Sequence, residues 1–122
     1  MERYTKRTRH SREYAARHRP HLSDNRAVLG FRRATKELMY PIVGDRSEGS
    51  RLWDIDGNEY IDFTNGFGVH FFGHRPAFVV RAVEAQLRRG FHTGPQSDLA
   101  GPVAALFREI TGMERVTFCN TG

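Results

Sequence analysis

The sequence predicts an α/β fold, and three observations carry that prediction. Residues 51–63 spell a tight hairpin, with two alternating segments flanking Asp56-Gly57-Asn58, where Asp-Gly supplies the positive-φ positions of the turn. Two amphipathic helices follow, over residues 76–89 and 97–110. After them Arg115-Val116-Thr117-Phe118, β-branched and aromatic behind a Gly112-Met113-Glu114 turn, reads as a short buried strand. It runs into Asn120-Thr121-Gly122, a small polar turn of the kind whose backbone N–H groups converge on a phosphate.

Residues 4–18 have helix-compatible, largely polar composition, stopped by Pro20. Tyr40-Pro41-Ile42-Val43 is the first extended apolar run. Pro41 cannot donate a ladder bond, so an edge strand or extended segment is expected there, with residues 44–50 as its loop. In the hairpin, Trp53 and Tyr60 are expected to pack rather than to bind a ligand. Residues 64–75 combine Gly66, Gly68 and Gly73 with Phe67, Phe71 and Phe72, a loop too apolar to face water. His70 and His74 have a spacing that on a helix suits a metal, but the glycines argue against a helix, and no metal site is expected.

Pro76 opens the next helix, Phe78, Val79, Ala82, Val83 and Leu87 line its apolar face, and Gly90 caps it. Arg88 and Arg89 fall in its last turn, where cations suit the helix dipole. Leu99, Val103, Leu106, Phe107 and Ile110 line the second helix. Pro102 requires that helix either to kink or to begin near Gly101.

Composition narrows the function classes. At 122 residues and 39% hydrophobic content the chain has the length of one small domain. The single Cys119 cannot form an intrachain disulfide, fits a reducing compartment, and reads as a small buried strand residue rather than a nucleophile. No run approaches the ~18 apolar residues of a membrane span, and the basic N-terminus lacks the apolar region of a secretory signal. A cytoplasmic location is expected. The formal charge of +5 belongs wholly to residues 1–21, since the rest of the chain is neutral. That basic arm offers only Tyr4 and Tyr14 for stacking on bases, so a solvated or partner-bound helix is expected rather than a nucleic-acid reader.

Four motifs in register carry a family resemblance. Gly49-Ser50-Arg51-Leu52-Trp53-Asp54-Ile55-Asp56-Gly57-Asn58-Glu59-Tyr60-Ile61-Asp62-Phe63 resembles the N-terminal hairpin of class III pyridoxal-phosphate aminotransferases. Gly66-Phe67-Gly68-Val69-His70-Phe71-Phe72-Gly73-His74 is similar to the glycine-rich loop that follows it there, and Gly94-Pro95-Gln96-Ser97 and Asn120-Thr121-Gly122 fall in the same order and spacing. The resemblance covers residues 34–122. It implies the N-terminal portion of a fold type I pyridoxal-phosphate transferase. Residues 1–21 are the basic arm, 22–75 begin the small domain, and 76–122 start the cofactor-binding large domain, ending at the threshold of its site.

The same resemblance implies the site residues. Thr121 and Gly122 match the cradle of the cofactor phosphate. Phe67 falls where related enzymes place an aromatic beside the substrate, with plain packing as the alternative. Gly94, Pro95, Gln96 and Ser97 match a loop that approaches the partner's active site in a homodimer. Asn65 stands where relatives often hold an apolar residue. The family's cofactor-binding lysine and the carboxylate facing the pyridinium nitrogen lie downstream, and Lys6 and Lys36 match neither, so no catalytic residue is expected within these 122 residues.

For the substrate, Lys36-Glu37-Leu38-Met39-Tyr40-Pro41-Ile42-Val43 and Gly66-Phe67-Gly68-Val69 look most like aminotransferase modules of nonribosomal peptide and polyketide synthetases, which aminate a carrier-protein-bound β-keto acyl chain. Glutamate-1-semialdehyde aminomutases, acting on a small molecule, fit the broader pattern. A non-catalytic basic interaction module is the third reading.

Overall fold

The computed structural model of the chain describes residues 1–23, 32–91 and 94–119. They fall into two units, Met1–Arg81 and Ala82–Gly122.

The first unit is built on a three-stranded antiparallel meander, β1 (Gly44–Glu48), β2 (Arg51–Asp54) and β3 (Glu59–Ile61), in that spatial order. The hairpin forms as expected, with Arg51 opposite Ile61 and Trp53 opposite Glu59. Gly57, at φ 81°, takes the left-handed position that the Asp-Gly pair anticipated. The edge strand is displaced from its expected place. Residues 41–43 are unpaired as strand, and Gly44–Glu48, read as loop chemistry, pairs with β2. A polar segment can do this because an edge strand needs only backbone groups to pair and solvent for its side chains. Arg46 adds a cation–π contact, its guanidinium carbon 3.6 Å from the centre of the Trp53 ring.

The expected single helix over residues 4–18 is two helices, α1 (Glu2–Arg7) and α2 (Arg9–His18), broken at Thr8 with φ −117° and ψ 39°. Thr8 is buried at the break, where its hydroxyl bonds the Tyr4 carbonyl at 2.9 Å and the Tyr40 hydroxyl at 2.7 Å. The basic arm is therefore docked. Arg7 and Asn58 exchange two bonds, Nε to Oδ1 at 2.7 Å and Nδ2 to the Arg7 carbonyl at 2.8 Å. Arg12 pairs with Glu37 in the 3-10 helix Arg33–Leu38 at 2.9 Å.

Helix α3 (Ala77–Arg89) begins behind Pro76 and ends on Gly90, at φ 92°. In the second unit α4 (Ala100–Thr111) resolves the Pro102 question. Pro102 lies in the first turn, where a missing N–H breaks no helical bond. Gly112 closes α4 in the left-handed conformation, donating to the Arg108 carbonyl at 2.9 Å.

Residues 115–119, expected as a strand, pair with no neighbour, and Cys119 is exposed rather than buried. A strand is a ladder, and no second strand of the second unit is present among the described residues to complete one. The apolar faces of α3 and α4 also stand in solvent, with Leu87 55% and Ile110 81% exposed. No hydrophobic side chain among the described residues is buried.

Candidate functional site

A chain of carboxylates organises the first unit and leads to the glycine-rich loop. Asp54, at the end of β2, is 2% exposed. Its Oδ1 accepts from the backbone N–H groups of Asp56 (3.0 Å) and Asn58 (2.8 Å), and its Oδ2 from the Tyr60 hydroxyl (2.6 Å) and Asn58 Nδ2 (2.9 Å). Burial by itself would raise the Asp54 pKa, but the bonds from Tyr60 and Asn58 prevail and hold it below the usual carboxylate range. Tyr60 feels the opposite pull. Burial, then the adjoining Asp54 charge, push its phenol up to about 12.

Asp56 crosses from the hairpin turn to α2. Its carboxylate accepts from the N–H groups of His10 (2.6 Å) and Ser11 (2.9 Å) and from the Ser11 hydroxyl (2.9 Å). Those are orphan donors of the first helical turn, so a residue from another element caps α2. Ser11, fully buried, also accepts from the Val43 N–H at 3.2 Å. Burial opposes the Asp56 charge, and the two backbone donors outweigh it, leaving its pKa lowered.

Asp62, one residue past β3, governs the glycine-rich loop. Its Oδ1 accepts from Thr64 Oγ1 (2.6 Å) and the N–H groups of Thr64 (2.9 Å) and Asn65 (3.0 Å), an Asx-type turn, and its Oδ2 lies 2.7 Å from His74 Nε2. The Thr64 hydroxyl first, and His74 second, hold the Asp62 carboxyl well below its ordinary value.

The loop then turns left-handed. Asn65, Gly66, Phe67 and Gly68 have φ of 50°, 55°, 56° and 93°. Left-handed backbone costs a residue with a Cβ on the order of 1–2 kcal/mol, which Asn tolerates and Phe does not. Phe67 adopts it all the same, and within this chain the residue is 93% exposed. Phe71 and Phe72, expected to avoid water, are 78% and 68% exposed.

Two glycines make the loop possible. A Cβ on Gly66 would come within 2.6 Å of the His70 ring, and one on Gly73 within 2.9 Å of the Gly49 carbonyl oxygen. The second closeness reflects the bridge that closes the loop onto the sheet, where Gly49 and His74 exchange backbone bonds of 3.0 and 2.7 Å. The His70 and His74 rings lie against each other, centres 4.0 Å apart and planes tilted by 39°, and His74 is committed to Asp62. Among the described residues no group of three His, Cys, Asp or Glu side chains is placed to hold a metal.

The remaining expected site residues are placed as follows. Gly94, Pro95, Gln96 and Ser97 are exposed and lead into α4. Gly94 has φ 113°, and Ser97 accepts the Leu99 and Ala100 N–H groups through its hydroxyl (3.2 Å) and carbonyl (3.1 Å). Thr121 and Gly122 lie outside the described residues. Sequence reasoning passed over Asp54, Asp56 and Asp62. For Asp62 the local signal was available, because Asp followed two residues later by Thr in a turn-rich stretch is Asx-turn chemistry. Asp56 had none, since its partners are 45 and 46 positions away.

The Aminotransferase class-III family model matches residues 32–122. A glutamate-1-semialdehyde 2,1-aminomutase of Exiguobacterium sp. is 39% identical over 92 residues, covering 74% of this chain and 21% of that protein. Succinylornithine transaminase of Salmonella paratyphi A is 42% identical over 84 residues, covering 67% and 21%. Among solved structures, the β-phenylalanine aminotransferase of Variovorax paradoxus superposes with a TM-score of 0.83 at 26% identity, covering 99% of this chain and 27% of the other. The chain thus spans about a fifth of the length of the curated relatives it matches. No helix among the described residues is long and apolar enough to cross a membrane. The chain belongs to the class-III aminotransferase family, and its architecture is that of the N-terminal portion of the fold.

Proposed function

We propose that the complete protein carrying this chain is a pyridoxal-phosphate-dependent aminotransferase that moves an amino group to a keto or aldehyde substrate. The observation that carries the reading is the family match across residues 32–122, which takes in the hairpin, the left-handed glycine loop and the loop leading into α4. When bound, the cofactor supplies the electron sink that lets the amino-bearing carbon lose a proton.

Lys6, in α1, and Lys36, in the 3-10 helix, are both exposed, and the reading assigns the cofactor-binding lysine to neither of them but to a part of the complete protein outside this chain. Within this chain Thr121 and Gly122 would face the cofactor phosphate, Phe67 would lie beside the substrate, and Gly94-Pro95-Gln96-Ser97 would reach the neighbouring active site of a homodimer. The left-handed backbone of Phe67, which its residue type disfavours, supports its part of the reading. The reading takes the enzyme to be cytoplasmic.

For the acceptor, the likeness of residues 36–43 and 66–69 to synthetase-embedded modules supports a carrier-protein-bound β-keto acyl chain. A second reading, an aminomutase acting on one small substrate, is favoured by the 39% identity to the Exiguobacterium protein. Absorbance titration with pyridoxal phosphate tests the shared part. The complete protein is expected to bind one cofactor per chain in borohydride-trappable form and the 122-residue chain to bind none. A trappable stoichiometric adduct on the short chain would overturn the assignment. Assay with glutamate-1-semialdehyde against a β-keto acyl carrier protein then separates the two substrates.

A further inference from the structure

Phe67 occupies a backbone conformation that its own residue type disfavours, so neighbouring groups must impose it, and those groups can be traced. Asp62 holds the entry to the turn through Thr64 and Asn65 and holds its exit through His74. The Asp62 and His74 side chains are 6% and 11% exposed, unlike the fully open Phe67 that follows from them. From His74 the contact continues to the His70 ring, its centre 4.0 Å away. His70 covers Gly66, where any Cβ would meet its ring, and its N–H closes onto the Asn65 carbonyl at 3.1 Å. The Asn65 and Gly66 so held lead directly into Phe67.

We propose that Asp62 and His74 are positioning residues that fix the direction of Phe67 and thereby set which amino donors the enzyme accepts. Neither touches the reacting atoms. The proposal rests on the reading above in which Phe67 lies beside the substrate. Its physical content is that the Asp62–His74 pair pins both ends of residues 64–74, leaving the left-handed turn as the conformation that keeps every bond. Releasing either end lets residues 65–68 relax toward ordinary backbone and swings the ring away.

The test uses the complete holoenzyme with 4-fluorophenylalanine at position 67. Asp62→Ala and Gly66→Ala are each expected to shift or broaden the fluorine resonance. His74→Gln, which keeps a donor toward Asp62, is expected to leave it near its original position. An unmoved signal in both alanine variants overturns the proposal. In parallel, the ratio of kcat/KM for β-phenylalanine over succinylornithine is expected to change about fivefold or more in Asp62→Ala and Gly66→Ala, carried mainly by KM.

The change should vanish in a Phe67→Ala background, because a residue acting through Phe67 has nothing left to position. If Phe67→Ala leaves the ratio unchanged, the substrate role of Phe67 fails, and the donor-selection part of the proposal falls with it. If Phe67→Ala changes the ratio while Asp62→Ala and Gly66→Ala do not, the proposal alone is overturned. Should Asp62→Ala fail to fold, His74→Ala, which removes the contact to Asp62 at the exit of the turn and keeps the Asx-type turn at its entry, decides the matter.

Discussion

In Met1–Arg81 the buried residues are Thr8, Ser11 and Asp54, all of them polar, whereas in Ala82–Gly122 no described residue is buried. The first unit is specified by hydrogen bonds between distant segments: Asp56 to α2, Thr8 to Tyr40, Arg7 to Asn58. The second holds a helix closed by Gly112 whose apolar stripe stays largely exposed, with Phe107 meeting the Phe118 ring edge-on at 6.5 Å between centres. A polar cluster can be complete with a few partners, because each donor needs one acceptor. An apolar face is satisfied only by area, at about 25 cal/mol per Å². A short stretch of chain can therefore finish the first kind of structure well before the second.

Breaking the polar cluster should give the largest effect. Asp54→Ala strips the acceptor from Tyr60, Asn58 and the turn amides together, and should cost roughly 2–3 kcal/mol, the upper range for hydrogen bonds to a charged group. Urea unfolding followed by the fluorescence of Trp53 reads this directly, because Trp53 is the sole tryptophan and lies in β2. In the second unit Ile110→Ala, at an 81% exposed position, should change stability by less than about 0.5 kcal/mol in this chain. Equal losses at the two sites would erase the contrast.

Asp56→Ala sharpens the contrast by testing whether the basic arm depends on the hairpin. It uncaps α2 and should cost about 1–2 kcal/mol, the usual worth of a strong helix cap. The expected signature is faster hydrogen exchange at the His10 and Ser11 amides with the β2–β3 ladder still protected. An arm whose exchange is unchanged does not depend on Asp56.

The smallest effect is the pH dependence. Asp54, Asp56 and Asp62 all have lowered pKa values, so the stability they contribute is whole above about pH 5 and is lost as pH falls through their folded-state values. Tyr60 is raised to about 12, so its contribution is whole below about pH 10, its usual value, and is lost as pH rises through 12. Tyrosinate absorbance should show a phenol titrating at about pH 12 that Tyr60→Phe removes. If Tyr60→Phe leaves the high-pH end of the titration unchanged, the bond to Asp54 does not persist in solution.

What was legible in advance was whatever depends on near neighbours in the chain. The Asp-Gly hairpin, the helix behind Pro76 with its Gly90 cap, the Pro102 constraint and the family motifs all rest on signals within a few residues. The class and architecture followed from these. Tertiary structure decided the rest. The edge strand moved from residues 40–43 to Gly44–Glu48 because a strand is chosen by its partner's register, not by its own hydrophobicity. The helix broke at Thr8 because Tyr40, 32 positions away, offers that hydroxyl a partner. Residues 115–119 had every local mark of a strand and are not one, since a ladder requires a second strand. The glycine loop could be recognised as a loop, but its left-handed turn could not, because Phe67 would not choose that conformation without Asp62 and His74 to impose it. Local propensity is a property of a residue and its neighbours, whereas pairing, capping in trans and imposed strain depend on partners that only folding brings within reach.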